Sequence, residues 1–444
     1  MTNLRMSDNQ KQIFGWLMYD WANSAYITTV VVAVLPAYFA AVIVPEGGIT
    51  FAGSVYSATA IWGFLISFSA FIVFLIAPII GAIADFSASK KKFLMAFCYS
   101  GSLAACLLFF SQAGDFILTI ILFLIAQVSF VSANIFYDAF LPSLASEDEM
   151  DWISGKGFAL GYVGGGLQFA LSLGLIAAHP VLGISAELAA RFAILMAGLW
   201  WGGFAIFTFL YLKEPPSVET LPAEYRHLPA VIAYLKVGII RTVVTVRKLS
   251  VFKQLLAFLI AYMIYSNGIQ TVVAMATIYG TEELNFSTNI LMITLLVIQF
   301  VSVGGALAFS KLAEKISAKN ALIVSLLGWS FVVIYAYFLT TPTEYFILGG
   351  VVGLVQGGSN ALSRSFYGSI IPVHAAAEFY GFYSIFNKGS AIIGPLTFAL
   401  IRQFTGTSRT AILSLIVFFI VGLVILASVN VEQAKAAKVS SPLN

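Results

Sequence analysis

Twelve stretches of about twenty or more predominantly apolar residues run through this chain, and each is long enough to cross the hydrocarbon core of a bilayer. They fall near 13–40, 54–80, 93–112, 116–141, 154–178, 188–212, 251–279, 287–311, 320–340, 345–371, 376–401 and 409–430. Lipid offers the backbone no hydrogen-bond partner, so such segments must be helical. With 60% hydrophobic and 10% charged residues and a mean hydropathy of +0.95, the chain belongs to the membrane class. The expected fold is all-α and integral to the membrane. Residues 1–212 form an N-terminal six-helix bundle, 213–250 a linker, and 251–444 a C-terminal six-helix bundle with a short tail.

The basic residues set the orientation. With the N-terminus inside, the inner segments collect eighteen of the 23 Lys and Arg residues, while the outer loops keep Arg191, Arg402 and Arg409. That asymmetry predicts cytoplasmic termini and a multi-pass protein, in the cell (inner) membrane if the source is bacterial. The first twelve residues lack a signal-peptide pattern, so the first helix is expected to be retained. In the linker, Ala230 to Leu249 carries Lys236, Arg241, Arg247 and Lys248 among aliphatics, which suits a basic amphipathic helix on the inner membrane surface.

Several function classes are excluded. Cys98 and Cys106 are the only cysteines, which leaves no disulfide framework and no metal site. His179, His227 and His374 lie in three separate loops, and no nucleotide-binding loop or catalytic Ser/His/Asp set is present. Neither an enzyme, nor a cofactor, nor a nucleic-acid partner is expected.

The chain repeats itself weakly. GGGLQFAL at 164–171 matches IGPLTFAL at 393–400, and Thr29-Val30-Val31 matches Thr271-Val272-Val273. After span 2 stand Gly81, Asp85, Ala88 and Lys90; after span 8 stand Ser310, Glu314, Ser317 and Lys319 at the same spacing. Two homologous halves are the expected consequence.

Charges within apolar spans are costly and mark function or pairing. Four are not explained by topology alone: Asp20, Asp138, Arg364 and Lys388. Span 1 sets Asp20, Asn23 and Tyr26 at helical spacing, and span 7 offers Tyr262, Tyr265, Asn267 and Gln270. Span 10 carries Gln356, Asn360 and Arg364 at four-residue steps, a stripe that could grip a carboxylate. Lys388 lies about 18 Å into span 11, beside Tyr383 and Asn387, too deep for snorkelling. Asp138 is expected to cap or pair. Glycine ladders at Gly157, Gly161 and Gly165, with Ser390 and Gly394 as the matching pair, are expected to bring the halves together.

The loop GAIADFSASKKK resembles the signature loop of the major facilitator superfamily, with Gly81, Asp85, Lys90 and Lys91 in place and Ala88 where that pattern has glycine. YDWANSAY, NIFYDAFLPSLA, SGKGFALGYVGGG, GGSNALSRS and EFYGFYSIFNKGSAIIGP together resemble the vacuole-effluxer-like permeases, a branch that includes the fungal vacuolar amino-acid effluxer. The resemblance implies the major facilitator fold, alternating access, and a central cavity lined by spans 1, 4, 7 and 10. It also implies that Gly81, Asp85, Lys90 and Lys91 form a gating loop, with Glu314 and Lys319 as its second copy. The expected activity is secondary transport of a small polar solute such as an amino acid. The candidate binding residues are Asp20, Asn23, Tyr26, Asn267, Gln270, Gln356, Asn360, Arg364, Tyr383, Asn387 and Lys388. Export of an organic anion and a non-transporting sensor are the alternatives. A small-molecule substrate, membrane lipids and a coupling proton at Asp20 are the expected partners, with the chain a monomer.

Overall fold

The computed structural model describes residues 7–45, 48–51, 53–56, 58–215, 222–225, 227–248, 252–390 and 393–439. Some helical side chains, that of Lys388 among them, lie outside this description. Eleven helices among the described residues are long and apolar enough to cross a membrane. Spans 1 to 6 comprise Asp8–Ile43, Ala58–Phe86, Lys90–Phe110, Phe116–Leu144, Glu147–Ala177 and Ala186–Tyr211. Spans 7 to 10 comprise Lys253–Ile278, Thr288–Ile316, Ala318–Phe338 and Pro342–Ile370, and span 12 is Ser408–Ser428. The expected span 376–401 is covered by two helices, Ala376–Ser390 and Ile393–Thr405, called span 11 here.

The helices overrun the apolar stretches that announce them. Span 1 begins at Asp8 because Ser7 and Gln10 form a reciprocal capping box. Thr341 and Glu344 do the same for span 10. Span 5 begins at Glu147 with three acids in its first turn, where the helix dipole favours them. Hydropathy finds the length in lipid, whereas hydrogen bonding continues beyond it. Span 2 is a correction in the other direction. Residues 54–56 pair with Ile49–Phe51 as a short antiparallel hairpin, so the helix starts only at Ala58.

Packing groups the described chain into two units. The first comprises Met1–Ile76, Ser89–Tyr137 and Leu160–Glu214. Here span 5 presses on span 1: a Cβ at Gly161 would stand 2.7 Å from Ser24 Oγ, and one at Gly165 would stand 3.0 Å from Ser24 O and Thr28 Oγ1. The glycines expected to join the halves thus close a contact inside one of them, because span 1 lies directly over them. Glu214 accepts from the amides of Lys90 at 3.0 Å and Lys91 at 2.6 Å, tying the end of span 6 to the start of span 3.

The second unit comprises Ala77–Ala88, Asp138–Ala159 and Pro215–Asn444. Gly394 of span 11 abuts Asn267 and Thr271 of span 7, as Gly165 abuts span 1 in the first unit. Lys319 donates to the carbonyls of Ala427 at 2.6 Å and Val429 at 2.7 Å, tying the start of span 9 to the end of span 12. The two units therefore repeat the same ties with different chemistry. The ends of spans 2 and 4 and the start of span 5 pack in this second unit, among the C-terminal helices.

Candidate functional site

Where spans 2, 4 and 10 end and spans 5 and 11 begin, polar groups converge; this is the basic end of the helices. The carboxylate of Asp85 accepts from the amides of Ala377 at 3.2 Å and Glu378 at 2.8 Å, so it caps the first turn of span 11. An acid at a helix N-terminus satisfies otherwise orphaned donors and meets the positive end of the dipole. Gly81, one turn earlier, is required by contact: a Cβ there would lie 2.5 Å from Ala377 O and 2.9 Å from Glu378 Cα. Ala88 closes the loop in a left-handed conformation, with φ at 44°, which explains why the superfamily pattern favours glycine there. Ser317 at the matching place of the second copy also has positive φ, at 77°. Lys90 is buried, Lys91 contributes its amide to Glu214, and Glu314 is exposed. Lys319 binds span 12.

Arg364 forms the second knot. Its Nη1 approaches Asp138 Oδ1 at 3.3 Å, its Nε donates to Ser154 Oγ at 3.1 Å, and its Nη2 donates to Ser154 O at 2.9 Å. The guanidinium lies 4.0 Å from the centre of the Phe158 ring. Ser154 Oγ in turn donates to Ala361 O, and the Tyr380 hydroxyl donates to Arg364 O. One 3% exposed residue thus joins spans 4, 5, 10 and 11. The guanidinium sends these three bonds to two residues from one rigid, planar fork, a geometry the point-like ammonium of a lysine does not reproduce. Beyond the spans, Lys435 pairs with Glu147 at 2.7 Å, and this bond holds its ammonium above the usual lysine range.

In the first unit, span 1 presents a polar ladder to spans 4 and 5. The Tyr137 hydroxyl donates to Asp20 Oδ2 at 2.7 Å, and Asn23 Nδ2 donates to Asn134 Oδ1 at 2.6 Å. Tyr26 reaches Gln127 at 3.3 Å, and Thr29 bonds Gln168, which continues to Ser172. Trp16 stacks on Tyr137 at 4.6 Å and donates to its carbonyl, fixing that ring over Asp20. Tyr26 itself is fully buried among Phe130 and Trp201.

In the second unit, five tyrosines cluster across spans 7, 10 and 11. Tyr383 stacks on Tyr262 at 4.2 Å and on Tyr367 at 4.8 Å, with Tyr380 edge-on at 5.8 Å. Tyr265 shares a hydrogen bond with Ser363, and Asn387 donates to the Tyr262 hydroxyl. Asn267 is a tie between helices, accepting from the Gly394 amide at 2.7 Å. Gln270 is exposed, Gln356 and Asn360 are half-buried, and Lys388 follows Asn387 in the helix with its side chain outside the described residues. Gln127, Asn134, Tyr137, Ser154 and Gln168 are partners the sequence reading missed. Gln127, Asn134 and Asp138 stand at i, i+7 and i+11 on span 4, a stripe of the kind recognised on span 10.

Long apolar helices, two repeated halves and a glycine–aspartate loop that caps span 11 define a transporter of the major facilitator class. The chain belongs to the family described as "Vacuole effluxer Atg22 like", whose model matches residues 8–439. It is 35% identical over 426 residues to a Bacillus subtilis protein described as the uncharacterized MFS-type transporter YxiO, covering 96% of each chain. It is 31% identical to autophagy-related protein 22-1 of Neosartorya fischeri over 64% of this chain and 48% of that protein. Among solved structures it resembles the proton:xylose symporter XylE, with a TM-score of 0.71 and 12% identity, over 97% of this chain and 98% of that one. It also resembles the human organic anion transporter MFSD10, with a TM-score of 0.67 and 15% identity, over 95% of this chain and all of that one. At such identities the likeness shows the fold. The protein is a multi-pass membrane transporter of small molecules, as its family and fold require.

Proposed function

We propose that this transporter moves a small zwitterionic solute, an amino acid or a close relative, by alternating access. The observation that carries the reading is the position of Lys388. It stands about 18 Å along span 11 by helix rise, one residue after Asn387, which bonds the Tyr262 hydroxyl of the tyrosine cluster. A lysine at that depth is retained against its desolvation cost when it serves a ligand or a buried acid. A lysine able to bind a carboxylate, in a helix whose Tyr383 and Asn387 join the tyrosine cluster, suits a molecule carrying both charges, since aromatic faces attract an ammonium. Membership in an effluxer family supports the same reading.

Arg364 has its donors engaged by Asp138 and Ser154, so we assign it, with Asp85, to holding the basic end closed. By the charge asymmetry of the loops, that end faces the cytoplasm. On this reading, opening toward the cytoplasm breaks both knots.

The test is a thermal-shift screen on detergent-purified protein, followed by counterflow in proteoliposomes. Amino acids should raise the apparent melting temperature, because a ligand of the folded state stabilises it, and Lys388→Ala should abolish both that rise and counterflow. If amino acids give no rise while organic anions do, the substrate class is wrong. Counterflow of amino acids at normal rate by Lys388→Ala would remove the lysine from the site.

A further inference from the structure

The linker helix Ala230–Lys248 has an apolar face on each side. One is packed: Ala233 and Val237 are buried, and a Cβ at Gly238 would stand 2.7 Å from Ile83 Cγ1 and 3.1 Å from Ile79 O of span 2. The Tyr234 ring meets Phe86 edge-on at 6.0 Å. The other face exposes Ile232, Leu235, Ile239, Ile240 and Val243, each at least 43% accessible and set at i, i+3, i+7, i+8 and i+11. Water is a poor solvent for such a stripe. The helix touches span 2 over its last two turns, just before Phe86 ends it. A helix held there lies at headgroup depth, and its open face meets the boundary between headgroups and acyl chains.

Charge identifies the lipid. No acid occurs between Glu224 and Glu282, whereas Arg226, Lys236, Arg241, Arg247, Lys248 and Lys253 fall in that interval. Lys236 is itself exposed on the side of the open stripe. An aliphatic face on a helix whose charged residues are all bases complements an anionic phospholipid surface.

Span 2 links this face to the latch. Ile79, Ile83 and Phe86 share the side toward the linker helix, while Gly81 and Asp85 lie about 200° round the same two turns, against span 11. The end of span 2 is thereby held between the linker helix and the start of span 11. We propose that the linker helix binds anionic phospholipid and that this lipid steadies the Asp85 latch. The second clause rests on the latch reading given above; the lipid site does not.

The experiment uses the full chain in nanodiscs, with Cys98→Ala, Cys106→Ala and a fluorophore on Ile239→Cys. The discs are phosphatidylcholine alone or with increasing phosphatidylglycerol, and a headgroup-level nitroxide lipid serves as quencher. Quenching should rise with phosphatidylglycerol. Lys236→Gln and Arg247→Gln should each raise the fraction giving half-effect, about fivefold per base removed. Quenching indifferent to phosphatidylglycerol in the otherwise unaltered chain would overturn the anionic site. So would a label reached only by a second labelled copy, which would make this face a protein interface. Hydrogen exchange at the amides of Ala377 and Glu378 reads the latch. Phosphatidylglycerol should slow it several-fold, and Asp85→Asn should leave it fast in both lipids. Lipid-dependent quenching without lipid-dependent exchange would overturn the coupling. Unchanged exchange in Asp85→Asn would instead refute the latch itself.

Discussion

Two residues hold backbone conformations that side chains oppose. Ala88 has φ at 44°, and Ser317 has φ at 77° with ψ at 153°, a region that is essentially glycine's. They occupy the same place in the two copies of the loop, so the internal repeat is written in strain as well as in residue types. Ala88→Gly should stabilise the protein by about 0.5–1 kcal/mol, the relief of left-handed strain less the entropy glycine adds to the unfolded chain. Ser317 also caps span 9 by accepting from the Asn320 amide at 3.4 Å. Exchanging a serine cap for glycine costs only a few tenths of a kcal/mol, so Ser317→Gly should still gain about 1 kcal/mol. Unfolding midpoints in detergent measure both, and a loss at either position would refute the strain argument. The sequence reading found the departure from glycine at Ala88 but could not read it as strain, since φ is not legible in a residue's identity. At Arg364 the opposite mistake was available: the stripe Gln356–Asn360–Arg364 was legible, and the partners that occupy the arginine were not. Asp138 is on another span, and Ser154 is small and neutral. Asp138→Asn should cost on the order of 3 kcal/mol by leaving a buried guanidinium short of its counter-charge. Adding Arg364→Gln should recover part of it; an unchanged unfolding midpoint in Asp138→Asn would show that the pair contributes nothing.

At the scale of elements, the spans were legible because membrane insertion demands length and apolarity together. Their ends were legible only where a cap could be read. Ser7 with Gln10 and Thr341 with Glu344 follow the capping-box spacing, yet both lie in polar sequence that a hydropathy reading passes over. The hairpin at Ile49–Phe51 and Ser54–Tyr56 was hidden because its few apolar residues merge into the apolar run of span 2. Helix pairing is a tertiary fact, and it reversed the expectation for the glycine ladder of span 5. Gly161 and Gly165 serve span 1, whereas Gly155, not singled out from the sequence, abuts Ser310 of span 8. A prediction separates the two kinds of glycine. Gly155→Val and Gly81→Val should each weaken packing at the basic end and speed exchange of the Ala377 and Glu378 amides. Gly161→Val should lower the unfolding midpoint while leaving those two amides protected. Equal effects on the amides from all three would show that the contacts are not separable.

For the whole molecule, the two units handle their polar groups differently. In the first, the acid Asp20 accepts from a tyrosine and stands above a ladder of amides and hydroxyls. In the second, a tyrosine cluster surrounds the start of a helix that carries Lys388. A buried acid within a span can take up or release a proton as its surroundings change. Arg364, by contrast, must keep or lose its partner as a whole. We propose Asp20, an acid buried within span 1, as the proton-coupling group and assign the mechanical role to Arg364. The consequence is measurable in proteoliposomes loaded with an amino acid. Transport by the natural chain should follow an imposed pH gradient, while Asp20→Asn should exchange substrate across the bilayer yet fail to concentrate it. Tyr137→Phe, which removes the hydroxyl that donates to Asp20 but keeps the ring over Trp16, should retain coupling. Transport indifferent to the gradient would end the case for a proton. Coupling that survives in Asp20→Asn would move it to another group.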